Sequence, residues 1–172
     1  MLGHGAGGGV DAPDLARAEL EAQALGFTTA LVEQPYRVAG RRSPAPAKQL
    51  DAAWLAVVAD LRERGLTSGV LITGGRSSGA RVACRTAAEA RADGVLCLAF
   101  PEHPPGRPET SRQDEHDGVE VPVLVVQGKS DPFGMPADGP GREIVTVKGN
   151  HSLKSDLDAV GEVVAGWLAR LL

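Results

Sequence analysis

The sequence predicts a three-layer α/β/α sandwich with about six mostly parallel strands. Two observations carry that prediction. Short apolar runs rich in Val, Leu and Ile alternate with helical stretches from one end of the chain to the other. The runs are uninterrupted rather than alternating apolar and polar, as strands covered on both faces must be. A chain of 172 residues suits one domain, 1–172, and can bury a substantial core.

Met1-Leu2 leads directly into a Gly-rich loop, Gly3-His4-Gly5-Ala6-Gly7-Gly8-Gly9, so the first strand is expected to be a stub or to lack upstream residues. Leu15, Ala18, Ala22 and Leu25 fall at helical spacing; Asp14 offers a cap and Gly26 a stop. Thr29–Glu33 reads as a buried strand and Arg41–Pro46 as a Pro-rich loop. A helix over Ala47–Arg64 puts Leu50, Trp54, Val57, Val58 and Leu61 on one face, and Gly65 ends it. Val70–Thr73 is a strand entering Gly74-Gly75, followed by a helix from Ser78 to near Ala92. Val95–Ala99, Val123–Val126 and Glu143–Val147 are the remaining strands. The connection Pro101–Gly118 is polar and Pro-rich, with one short helix near Ser111–Asp117. It is too short for a large cap domain. Leu157–Leu172 closes the chain as an amphipathic helix.

Composition narrows the function. The net charge is −4 with no basic stripe, which argues against a nucleic-acid partner. No apolar run approaches the roughly 18 residues a membrane span needs, and no signal peptide is visible. The expectation is a cytoplasmic protein, a monomer or weak homo-oligomer, acting on a small-molecule substrate. Cys84 and Cys97 fall in apolar elements and read as reduced core residues. His116 lies in an acidic stretch and reads as solvated. No His, Cys and carboxylate spacing suggests a metal site, and no cofactor is implied.

The chemistry concentrates in three loops that each follow a strand. Gly75-Arg76-Ser77-Ser78-Gly79 joins a buried strand to a helix, the context of a nucleophile elbow. Such a sharp turn exposes the Ser77 hydroxyl at the sheet edge and requires small neighbours. The following helix brings its N-terminal N–H groups, with Ser78 N–H as one oxyanion donor. Ser130-Asp131-Pro132-Phe133 places a carboxylate after the next-to-last strand. Taken alone, Asp131 reads as a turn residue or cap. Gly149-Asn150-His151-Ser152 hangs His151 after the last strand, where a general base would reach Ser77. Taken alone, it reads as a solvated loop histidine. The order Ser77, Asp131, His151 is the α/β-hydrolase order of nucleophile, acid and base.

The N-terminal loop is expected to supply the second oxyanion N–H, from Ala6 or Gly7, with Gly5 and Gly7 letting backbone approach the substrate. His4 braces that loop beside the substrate and is not a base. His103 and Arg107 are expected to wall the pocket, and Arg76 or Arg107 to meet an anionic substrate group. Taken alone, both arginines read first as solvated surface charges.

These stretches resemble the small α/β-hydrolase group that includes bacterial dienelactone-hydrolase-like proteins. They also resemble the hydrolase-like domain of the third subunit of the eukaryotic nonspecific-lethal complex. The carrying stretches are Gly3–Gly8, Gly40-Arg41-Arg42 with Pro44 and Pro46, Gly75–Arg81, His103–Glu109, Gln127–Gly134 and Asn150–Leu153. The resemblance implies a three-layer fold without a large cap, a nucleophile at Ser77, an acid at Asp131 and a base at His151. The reading is a serine hydrolase of small esters or thioesters. The alternative is a non-catalytic binding or scaffold protein on the same fold. A third reading, a dinucleotide binder, follows from G-x-G-x-x-G through Gly3, Gly5 and Gly8 with Glu33 after the next strand. It leaves Ser77, Asp131 and His151 unexplained.

Overall fold

The computed structural model describes residues 1–172. The elements are β1 (Leu2–Gly3), α1 (Pro13–Ala24), β2 (Leu31–Val32), α2 (Pro35–Val38), α3 (Ala47–Glu63) and β3 (Ile72–Arg76). They continue as α4 (Ser78–Thr86), β4 (Gly94–Leu98), α5 (Gln113–Asp117), β5 (Val123–Gly128), β6 (Arg142–Val147) and α6 (Leu157–Ala169). The strands form one six-stranded sheet, ordered β2-β1-β3-β4-β5-β6. Every pairing is parallel.

Parallel strands need crossovers, and the helices that make them cover both faces. α1 packs on α6 on one face, and α3 packs on α4 on the other. Two cores result. Leu15, Leu96, Leu124, Val160, Val164 and Trp167 fill the first. Trp54, Val58, Val82, Val95, Phe100 and Val125 fill the second. β4 shows why its sequence carries no polar alternation: Val95 and Cys97 feed one core, Leu96 and Leu98 the other. No helix is long and apolar enough to cross a membrane.

Several element bounds differ from expectation. β1 and β2 are two-residue strands, although β1 still bridges β2 and β3 through the register Leu2↔Leu31 and Leu2↔Gly74. α4 stops at Thr86 rather than near Ala92. The Ala-rich segment must turn back to start β4 beside β3, which Asp93 N–H does by donating to Leu71 C=O at 2.8 Å. α2 was not foreseen; Pro35 starts it, and it buries Tyr36. Asp14 is not a cap: Pro13 takes the first helical position, Ala12 precedes it, and Asp14 is buried.

The junction of β1, β3 and α4 admits no side chains. A Cβ on Gly75 would lie 2.4 Å from the Gly3 carbonyl oxygen, and one on Gly79 would lie 2.2 Å from the same atom. Both obstacles are backbone, so neither can rotate away. Gly79→Ala is therefore expected to destabilise the fold by about 3 kcal/mol, the upper range for overpacking. Urea denaturation checks this; a loss below about 1 kcal/mol contradicts the close approach.

Candidate active site

The turn after β3 sets the geometry. Ser77 has φ 52° and ψ −110°, a sparsely populated conformation for a non-glycine residue. Its N–H donates to Leu98 C=O at 2.9 Å, which locks the turn to the end of β4. Ser77 Oγ lies 2.9 Å from His151 Nε2, and His151 Nδ1 lies 2.8 Å from Asp131 Oδ2. The carboxylate can only accept, so Nδ1 carries the proton, and Nε2 accepts from the Ser77 hydroxyl. The Asp131 side chain is 1% exposed and His151 16% exposed. The three expected residues thus form one chain of hydrogen bonds across three loops.

Residues not singled out from sequence hold this chain in place. Phe133 stacks on His151 with ring centroids 4.0 Å apart, and its N–H donates to Asp131 Oδ1 at 2.8 Å. Buried Gln127 donates from Nε2 to Asp131 Oδ2 at 2.9 Å. The carboxylate therefore receives support at both oxygens. Gln127 closes the apolar run of β5, and a glutamine at that position is the signal in the sequence that marks it.

Arg76 departs from expectation. Its Nη2 donates to the His151 carbonyl at 2.8 Å, and its Nε pairs with Asp14 Oδ2 at 2.9 Å. Asp14 is fully buried. Burial raises the Asp14 carboxyl above its ordinary range, against the opposing pull of Arg76. The guanidinium is committed to the fold and braces the His151 loop from α1. Its Nε and Nη2 are therefore engaged within the fold.

The N-terminal loop packs beside Ser77. A Cβ on Gly5 would come within 3.3 Å of Ser77 Cβ. Ala6 N–H has no backbone acceptor, and Ser78 N–H opens α4, where no intrahelical acceptor exists. Ala6, Ser77 and Ser78 line one cavity of 220 Å³. Tyr36 supports the loop by donating to Ala6 C=O at 3.2 Å. His4 is fully buried; its Nε2 accepts from Gln34 N–H at 2.9 Å, and its Nδ1 donates to Gly5 C=O at 2.8 Å. It braces the loop and does not face a substrate. Gly7 is exposed with open space around it and lies outside the cavity lining.

Other expected wall residues also lie elsewhere. His103 packs on the turn after Asp131, where a Cβ on Gly134 would meet its Nε2 at 2.5 Å. Arg107 is exposed, and neither residue lines the cavity. The Arg112 N–H donates to Glu102 C=O at 2.8 Å and closes the Pro-rich segment that carries both into a loop. The polar wall is instead Arg81, Arg85 and Arg112. Glu115 accepts from Arg81 at 2.6 and 2.8 Å, and Asp51 accepts from Arg85 at 2.6 and 2.9 Å. Burial pushes the Glu115 carboxyl up, but Arg81 and then Arg85 hold it below the ordinary range. Arg112 is lowered by burial first and Arg81 second, and donates to Pro101 C=O at 2.8 Å.

A cleft of 410 Å³ with a mixed polar and apolar lining lies at the amino ends of β1 and β3, does not include Ser77, and carries no ionisable side chain. The Gly-rich loop does not open a helix: α1 begins only at Pro13. The dinucleotide fingerprint requires glycines at the helix start, so this loop lacks its geometry.

The fold and this loop arrangement define an α/β-hydrolase framework, and comparison with known proteins agrees. Residues 1–156 match the family described as alpha/beta hydrolase domain, and the chain belongs to that family. Among solved structures it is similar to Est1E from Butyrivibrio proteoclasticus with ferulic acid bound, at 18% identity and TM-score 0.81, covering 99% of this chain and 87% of that one. It is similar to an α/β serine hydrolase without lid from Xanthomonas campestris, at 21% identity and TM-score 0.77, covering 99% and 81%. A third is an α/β serine hydrolase homologue from Coxiella burnetii, at 16% identity and TM-score 0.74, covering 98% and 85%. No curated protein sequence matches.

The Asp14–Arg76 pair generates a prediction. Arg76→Met leaves a buried carboxylate unpaired and is expected to cost about 3–5 kcal/mol. Replacing both, Asp14→Leu with Arg76→Met, is expected to recover most of that loss. Denaturant melts of the single and double variants check this; a double variant no more stable than the single contradicts the pairing.

Proposed function

We propose that this protein is a serine hydrolase that cleaves small esters or thioesters through an acyl-enzyme on Ser77. The observation that carries the reading is the continuous hydrogen-bond chain from Ser77 Oγ through both nitrogens of His151 to Asp131, at 2.9 and 2.8 Å. It ends at a cavity of 220 Å³. The cavity's size favours a small acyl group over a long chain. The family match and the esterase and serine hydrolase names among structurally similar proteins support a hydrolase.

In this mechanism His151 Nε2 takes the Ser77 proton as Oγ attacks the substrate carbonyl. The strained turn presents the hydroxyl without help from a mobile element. Asp131 fixes the Nδ1–H tautomer and stabilises the imidazolium that forms. Ala6 and Ser78 N–H groups receive the oxyanion, each contributing about 3 kcal/mol to the transition state. The imidazolium then protonates the departing alcohol or thiol. Water enters, loses its proton to Nε2, and attacks the acyl carbon to restore the free Ser77.

Arg76 acts through His151, as a positioning residue, by holding the carbonyl of that residue. Gln127 and Phe133 do the same for Asp131 and the ring.

Ser77→Ala is expected to abolish turnover of short-chain nitrophenyl esters while leaving the melting temperature within a few degrees of wild type. Asp131→Asn is expected to lower kcat by about 10⁴-fold, the size such a change has in a serine protease triad. Undiminished hydrolysis by purified Ser77→Ala would remove Ser77 from the chemistry.

A further inference from the structure

Three side chains outside the Ser77 site converge between α4, β4 and α5. Cys84 lies on α4, Cys97 on β4 and His116 on α5. The two Sγ atoms are 3.5 Å apart. With a ring nitrogen of His116, the three ligand atoms all lie within 4.8 Å of one another. All three residues are buried, at 4%, 0% and 1% exposure. His116 was expected to be solvated; instead it packs against Phe100, ring centroids 3.6 Å apart.

The imidazole is the anomaly. Neither His116 ring nitrogen has a hydrogen-bond partner, and a fully buried imidazole normally satisfies at least one. The two thiols share a hydrogen bond, and the His116 ring lies beside them. Two sulfurs and an imidazole nitrogen are the donor set of a soft, thiophilic cation. Zinc bonds of about 2.3 Å to sulfur and 2.0–2.1 Å to nitrogen put donors roughly 3.6–3.8 Å apart in a tetrahedral site and about 4.0 Å at most in a trigonal one. The Sγ···Sγ separation of 3.5 Å is already close to that spacing, and binding draws the remaining donor, within 4.8 Å, inward.

We infer that Cys84, Cys97 and His116 form a buried site for a zinc-class cation that ties α4, β4 and α5 together. On binding, each thiol releases one proton to solvent, and the cation gains two thiolates and one neutral imidazole. The complex of Zn²⁺ with two thiolates is neutral, so the apolar core accommodates it. The ligand nitrogen that is unpaired in the fold then has a partner. Sequence spacing conceals the site because the three donors come from three elements, with no pair in a short Cys-x-x-Cys or His-x-x-x-His arrangement. This inference stands independently of Ser77.

The test uses the full chain, reduced and stripped with a chelator, titrated with Zn²⁺ alone and in parallel with Co²⁺. One zinc per chain is expected, with a rise in melting temperature and affinity that strengthens as pH rises. Co²⁺ is expected to produce an intense thiolate-to-cobalt absorption band. Cys84→Ser, Cys97→Ser and His116→Gln, each checked for folding by circular dichroism, are expected to weaken zinc binding at least tenfold. The wild-type titration decides the matter even where a variant fails to fold. A reduced, folded wild type that takes up no zinc overturns the inference. So does cobalt binding without a thiolate band, or equal binding by the folded variants. Isolation with a Cys84–Cys97 disulfide, followed by no zinc uptake after reduction, overturns it as well.

Discussion

The structure depends on one backbone crossing. The Gly3 carbonyl oxygen occupies the place where side chains at both Gly75 and Gly79 would begin. Only because those positions are bare can β1 lie against β3 while α4 starts directly above it. Ser77, with φ 52°, sits between those two bare positions, and the Gly-rich loop leaves the sheet directly beside them. Ala6 and Ser78 reach one cavity as a consequence. A single methyl group at this crossing would separate the elbow from the loop that faces it.

The second constraint is a buried electrostatic strut. Asp14 lies on α1, on the opposite layer from α4, and Arg76 reaches from the elbow to it. The same guanidinium holds the His151 carbonyl. One ion pair therefore connects a helix of the first layer, the turn that carries Ser77 and the loop that carries His151. Burying this pair is costly in isolation. Its position between three elements accounts for its presence better than stability does. Gln127 makes a similar connection at the other end, tying Asp131 to the Phe100 and Gly134 carbonyls.

Much of the fold was legible because strand and helix differ in period, and buried parallel strands leave uninterrupted apolar runs. β4 and β5 are recognisable from Val95–Leu98 and Val123–Val126 alone. The convergence of Ser77, Asp131 and His151 was legible because each follows a strand, and strand ends meet at one sheet edge. What composition and spacing could not supply was pairing. Nothing local distinguishes an Arg76 that faces solvent from one that meets Asp14, since the partner lies on another element. The same applies to His116, whose acidic neighbours suggested water while its own side chain turned into the core against Phe100. His103 and Arg107 follow the same logic: they sit on a loop that starts at the right sheet edge, yet neither lines the cavity.

The central claim is that Ser77 is an activated nucleophile held by His151. Intact-mass analysis after reaction with a fluorophosphonate probe tests it most directly, because the probe reports nucleophilicity without knowledge of the substrate. A single adduct on the folded wild-type chain, absent from Ser77→Ala, is the predicted result. No adduct on folded wild type, or the same adduct on Ser77→Ala, would contradict the account.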